Sequence, residues 1–148
     1  MFKHILIATD GSRLAFRGAK AGIGLAKALR ARVTAVYVIP PFMPIAYGDA
    51  AMYVPAISPL DYRKHSEAAA RKALAAVEAE AKRQRVRCRT RFLTATQTYD
   101  GILRAARAGK CDAISMASHG RGGLAGVLIG SETTRVLAHS KLPVLVTR

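Results

Sequence analysis

Acidic residues are what this chain has least of. Nine Asp and Glu stand against 24 Lys and Arg in 148 residues, which leaves a formal net charge of +15. An excess of that size makes anionic partners the first suspicion. No RNA- or DNA-binding motif accompanies it, however, so the charges read as solvated faces and nucleic acid is not an expected partner. Cysteine is nearly absent too. Cys88 and Cys111 form no CxxC pair and read as reduced core thiols rather than a disulfide framework or metal site. His4, His65, His119 and His139 are scattered without an HExxH, so a transition-metal site built by the protein is not expected. Long hydrophobic runs are lacking as well. The opening MFKHILIATDGS offers one lysine and an apolar run too short for a signal sequence or membrane span, so a cytoplasmic location without membrane contact is expected.

What is present suits one globular domain over 1–148, with 51% hydrophobic and 22% charged residues. His4–Ala8 is an apolar run closed by Thr9-Asp10-Gly11-Ser12. Ser12 suits the cap of a helix whose Ala15, Gly18, Ala19, Gly22, Ala26 and Leu29 recur at helical spacing. Arg32–Ile39 is rich in β-branched residues and reads as a strand. Five of the six prolines fall in 40–61, which has no clear period and reads as a long loop. Tyr62–Arg85 is a long helix with Ala70, Ala73, Leu74, Val77 and Ala81 inward, and with favourable pairs Glu67–Arg71 and Glu78–Lys82. In Arg87–Leu93 one face is charged, as a sheet edge requires. A shorter helix around Tyr99–Ala106, a buried strand Asp112–Ala117, a helix capped by Ser131 and a final strand Pro143–Thr147 follow. Five strands alternating with four helices predict an α/β fold: a three-layer, five-stranded parallel sheet with helices on both faces. In such sheets ligands sit beyond the carboxyl ends of the strands, where strand order reverses. Asp10 and the segment after Ala117 then share one crevice if the first and fourth strands are neighbours.

That segment, ASHGRGGLAGVLIGSE, runs from Ala117 to Glu132 and holds five of the twelve glycines. Glycine turns and a helix N-terminus present backbone N–H groups to an anion. Gly120, Gly130 and the Ser131 hydroxyl are the candidate donors, with Arg121 beside them. There is no GxxxxGK[ST] loop. The stretch from Gly120 to Ala125 matches the dinucleotide fingerprint, but the acidic residue due about twenty positions on is missing; His139, Ser140 and Lys141 stand there instead. Ser118, His119 and Asp10 invite comparison with a hydrolase triad, yet no GxSxG elbow holds the serine, and His119 reads better as a backbone-bonding or pocket-lining residue.

Ser118-His119-Gly120, a nine-residue spacer, Gly130-Ser131 and the terminal Pro143-Val-Leu-Val together strongly resemble the universal stress protein family. Thr9-Asp10-Gly11-Ser12 and Cys111-Asp112-Ala113-Ile114 extend the likeness over essentially the whole chain. The nucleotide-binding branch of that family carries G-x2-G-x9-G-[ST], which falls here on Ala117, Gly120 and Gly130-Ser131. The resemblance implies a Rossmann-like sheet of the adenine nucleotide alpha hydrolase type, with strand order 3-2-1-4-5. It implies ATP as ligand; Mg2+ carried in with a nucleotide is compatible with the chain, because that ion keeps waters and needs few protein ligands. Phosphate contacts would come from Gly120, Gly130, Ser131 and the Glu132 amide, an adenine or ribose contact from Asp10, and a wall for the base from Val38. It also implies a homodimer formed through the last strand. Ala117 departs from the pattern: its methyl either crowds the ligand or is absorbed by ordinary strand geometry. Glu132 sets a carboxylate near the presumed phosphates.

The reading is therefore an ATP-binding stress-response regulator. A base, a nucleophile and an arginine finger are all wanting, so slow hydrolysis is the most catalysis to be expected. The alternatives are a nucleotide-free interaction module of the same fold and direct nucleic-acid binding through the Lys82–Arg91 region. The latter predicts a steep salt dependence, and only Phe92 is near enough there to stack a base.

Overall fold

Five parallel strands and four helices alternate along the chain in a computed structural model that describes residues 1–43, 58–119 and 129–148. They are β1 (His4–Ala8), α1 (Arg13–Ala28), β2 (Arg32–Ile39), α2 (Pro59–Arg83), β3 (Cys88–Thr94), α3 (Thr98–Ala108), β4 (Ala113–Ala117), α4 (Ser131–His139) and β5 (Val144–Thr147). The sheet order is β3-β2-β1-β4-β5, as the sequence led us to expect. Ile7 lies beside Ala35 on one side and Ser115 on the other, so β1 and β4 are neighbours where strand order reverses.

The sheet is covered on both faces, which is why β1 and β4 are apolar throughout rather than alternating. On one face Ile5, Ile7, Val33, Ala35, Tyr37 and Ile39 pack under α1 and α2, through Ile23, Ala26, Leu74 and Val77. On the other, Leu6, Val36, Val38, Ile114 and Met116 pack under α3 and α4, through Ile102, Ala105 and Val136. β3 is an edge strand, with Arg89 and Arg91 exposed as its alternation implied. Both cysteines are free, and burial pushes each thiol up to about 11.

Three of the helices end alike. Arg30, Arg85 and Lys110 take left-handed φ values of 54°, 60° and 50°. Their N–H groups donate to Lys27, Lys82 and Arg107, and the next residues, Ala31, Val86 and Cys111, donate back to Ala26, Ala81 and Ala106. This pair of bonds satisfies carbonyls that the helix end leaves open. The residue carrying the turn is basic each time, where glycine would be free of strain.

Some boundaries differ from the sequence reading. α2 begins at Pro59, because Ser58 Oγ accepts from the Asp61 N–H at 3.0 Å and proline suits the first helical turn. The loop reading of 40–61 therefore fails at its end, and its stretch 44–57 lies outside the described residues. Ser131 is not the cap of α4: Gly130 occupies that position without a side-chain bond, and Ser131 is the first helical residue. On α2, Glu67 pairs with both Arg63 and Arg71, whereas among the described residues no ion pair joins Glu78 to Lys82.

α1 approaches the sheet through its glycines. A Cβ on Gly22 would stand 2.6 Å from Ser115 Oγ and 2.9 Å from its Cβ, whereas one on Gly24 would meet nothing within 4 Å. Gly22→Val is therefore expected to destabilise by about 1–3 kcal/mol through overpacking. Gly24→Ala should stabilise by about 1 kcal/mol through helix propensity. Urea unfolding of the two variants checks both signs.

Candidate functional site

Strand order reverses between β1 and β4, and in open α/β sheets that is where a crevice lies, beyond the carboxyl ends of the strands. Its first wall is the β1–α1 turn. Thr9 N–H donates to Val36 O at 3.0 Å and so keeps this turn against β2. Gly11 supplies the left-handed φ of 79° that the turn needs. Asp10 Oδ1 accepts the Ser12 N–H at 2.9 Å, and Ser12 Oγ caps α1 by accepting from Ala15 N–H at 3.1 Å. Asp10 is thus held half-exposed at the mouth by its own turn.

The second wall is the end of β4 with the start of α4. Continuing the β1–β4 register carries Thr9 beside Ala117 and Asp10 beside Ser118. Ser118 N–H donates to Thr147 O at 2.8 Å, and Gly130 N–H donates to Ser118 O at 2.7 Å. A Cβ on Gly130 would lie 3.1 Å from Ser118 O and 3.3 Å from His119 Cα. Since Gly130 has an ordinary φ of −70°, it is close approach rather than dihedral freedom that favours glycine there. Thr133 Oγ1 donates to Ala117 O at 3.0 Å, a second tie from α4 to β4. The first intrahelical bond of α4 runs from Thr134 N–H to Gly130 O, so the amides of Ser131 and Glu132 lack helical partners. With the positive end of the helix dipole they form a donor set suited to an anion.

Glu132 is placed differently from what its sequence position suggested. Its Oε2 accepts the Tyr99 N–H at 2.9 Å, and its Oε1 takes Arg135 Nη1 at 3.3 Å. Arg135 also donates to Gln97 Oε1 at 3.0 Å. Gln97, the N-cap of α3, makes no side-chain cap of its own. The Glu132 carboxylate therefore serves as the missing cap for α3, from 33 residues away. No local pattern announces such a contact; the only trace is a third helix without a capping side chain.

Ala117, the departure from the glycine pattern, is 5% exposed at the end of β4, and its Cβ would lie 3.5 Å from a Cβ on Gly18 of α1. Its methyl fills the space that Gly18 leaves. Val38 is 8% exposed and sits beneath α3, where a Cβ on Gly101 would meet its Cγ1 at 2.8 Å. It is chiefly a packing residue with only a margin outward. Ser118, at 2% exposure, is too enclosed to act as a nucleophile. Its Oγ is hydrogen-bonded to His119 Nδ1 at 2.9 Å, so of the two expectations for His119, bonding backbone or lining the pocket, the first gives way to a side-chain hydroxyl partner. The structure thus brings Asp10, Ala117, Gly130, Ser131 and the Glu132 amide to one end of the sheet. Gly120 and Arg121 lie outside the described residues. Among those residues, no group of three or more His, Cys, Asp or Glu could hold a metal ion, and no helix is long and apolar enough to cross a membrane.

The sequence profile of the universal stress protein family matches residues 1–148. A universal stress protein of Methanocaldococcus jannaschii is 33% identical over 151 residues, covering 100% of this chain and 83% of the relative. One from Thermus aquaticus is 31% identical over 148 residues, covering 100% of both. Among solved structures, a universal stress protein in complex with cAMP aligns with a TM-score of 0.72 at 20% identity, covering 99% of this chain and 97% of the other. One from Archaeoglobus fulgidus in complex with dAMP aligns at 0.69 and 16%, covering 100% and 98%. These structural likenesses show a shared fold, and the profile match with the two sequence relatives shows more: the chain belongs to the universal stress protein family.

Proposed function

We propose that the crevice binds ATP, and that the protein is a cytoplasmic stress-response regulator that responds to the nucleotide rather than turning it over quickly. The observation that carries this reading is the donor set at the start of α4. The Ser131 and Glu132 amides are left without helical partners at the carboxyl end of the sheet, while the Glu132 carboxylate is bound to the start of α3. A negative side chain beside the phosphate site is thereby removed from it. Two solved structures of the same fold, in complexes with cAMP and dAMP, support an adenine nucleotide as the ligand class. In this reading Gly130, Ser131 and the Glu132 amide hold phosphates, with Gly120 and Arg121 assigned to the same end. Asp10 faces the adenosine, and Val38 offers its outer margin to the base. Mg2+ would neutralise phosphate oxygens and keep most of its waters, as it does where few protein ligands are offered. The enclosure of Ser118 argues against acyl-transfer or hydrolase chemistry there. The burial of the Ala117 methyl against Gly18 favours an open site over a nucleotide-free interaction module.

Isothermal titration with Mg-ATP is expected to give micromolar affinity, about −8 kcal/mol. No heat and no thermal shift at millimolar nucleotide would remove the proposal. Gly130→Val should weaken binding at least tenfold, because its side chain would push α4 off Ser118 and His119.

Glu132→Gln distinguishes two roles by sign. If the carboxylate caps α3, the variant loses about 1 kcal/mol of stability and binds ATP no more tightly. A carboxylate facing the phosphates would give the reverse, tighter binding at unchanged stability.

We assign homodimerisation to β5, the outer strand at the other sheet edge, where Leu145 is 39% exposed. An uncharged, β-rich edge suits isologous pairing. Leu145→Asp is expected to convert a dimer to a monomer in sedimentation velocity; a monomeric parent chain would refute the assignment.

A further inference from the structure

We propose that the pole opposite the crevice is a separate binding surface for the phosphate backbone of double-stranded nucleic acid. Parallel strands set every strand start and every helix end at that pole, and there the chain concentrates its cations. The three left-handed turns carry Arg30, Arg85 and Lys110 at their tips. Arg32 N–H donates to Lys3 O at 3.0 Å and Val33 N–H to Arg87 O at 2.8 Å, so Lys3, Arg32 and Arg87 cross three adjacent strands, spaced about 4.8 Å apart. All six side chains are exposed, and among the described residues none of the six is in an ion pair.

Three acids lie near this pole, Asp112, Glu80 and the exposed Glu78, and the first two are held by hydrogen bonds. Both oxygens of Asp112 accept backbone N–H groups, from Lys3 at 2.7 Å and from His4 at 3.0 Å. Glu80, 7% exposed, is held by Arg83 and Gln84. These carboxylates and the negative helix ends offset part of the charge, but the six exposed cations outnumber the three acids, so the pole stays net positive. In each turn the residue between or beside the cations, Ala31, Val86 or Cys111, is buried, and the exposed Met1 near Lys3 is a single side chain rather than the apolar patch that a protein partner or a bilayer needs. A single strand needs rings on which to stack bases. Phe2, next to Lys3, is packed against the core, and Phe92, five residues beyond Arg87, is covered by the Arg71 guanidinium at 5.1 Å. What remains is phosphate contact without base reading, which a duplex backbone satisfies. β2, eight residues long, separates this pole from the crevice by about 25 Å, so the two surfaces do not overlap.

The test is fluorescence anisotropy of a labelled 20-base-pair DNA of mixed sequence, titrated with the full chain between 50 and 250 mM salt. Six phosphate contacts predict a slope of log affinity against log salt of about −5, with little dependence on sequence. The combined variant Arg30→Gly, Arg85→Gly, Lys110→Gly removes three charges at positions where glycine relieves the backbone. It is expected to melt no lower than the parent, to lose at least tenfold in affinity at 100 mM salt, and to show a slope near about −3. Arg32→Gln with Arg87→Gln leaves the turns intact and should weaken binding similarly. A charge-matched control, Lys20→Gln, Lys64→Gln, Lys72→Gln, should bind like the parent. The proposal is overturned if the duplex is not bound at 50 mM salt, if the control loses as much as the turn variant, or if phosphatidylserine vesicles or poly-glutamate are held as tightly as the duplex.

Discussion

Parallel strand direction is the constraint from which the rest of the structure follows. Once all five strands point one way, the returning helices must run the other way. Helix N-termini then gather at the strand ends and helix C-termini at the strand starts. The aligned peptide dipoles add roughly half a positive charge at the one pole and half a negative charge at the other, for each helix. The crevice lies where two positive ends, those of α1 and α4, flank a reversal of strand order. The field at the crevice is thus set by topology before any side chain is chosen, and the side chains then refine it. Ser12 closes α1 by capping it, whereas Gly130 leaves the start of α4 without a capping side chain.

Whether those helix ends converge depends on how low the helices lie. Gly18 and Gly22 let α1 settle onto Ala117 and Ser115, and Gly101 lets α3 settle onto Val38. The seam explains how a glycine-to-alanine departure at position 117 is absorbed: one methyl is accepted because the helix residue opposite has none. Glu132 works at the same level. It closes α3 and ties the start of α4 to it, so the first amides of α4 are held in place by a contact to the neighbouring helix. A carboxylate that looks unfavourable in a linear motif becomes favourable once its direction is known.

Much of this was legible in the sequence, for identifiable reasons. β1, β2 and β4 announce themselves as apolar or β-branched runs because both faces of the sheet are covered. β3 announces its edge position by alternating Arg87, Arg89 and Arg91 with less polar residues. Asp10, Gly130 and Ser131 fall at one end of the sheet because strand order brings them there. Contacts with no period escaped. The Ser58–Pro59 start of α2 lay hidden in a proline-rich stretch, and the cap from Glu132 to Tyr99 spans 33 residues. The helix ends at Arg30, Arg85 and Lys110 escaped because the usual marker of such a turn is glycine.

Those three helix ends also bear on the net charge. A cation near a helix C-terminus gains about 0.3–1 kcal/mol from the dipole, whereas a side-chain-bearing residue in the left-handed region loses about 1–2 kcal/mol. Local energetics therefore do not favour lysine or arginine over glycine at Arg30, Arg85 or Lys110, and the same choice is made at all three. Mutual repulsion among the cations opposes it further. A charge of +15 scattered at random over the surface would not return to one backbone position in three successive crossovers. Stability alone does not account for that recurrence, whereas a requirement for positive potential at the strand-start pole does.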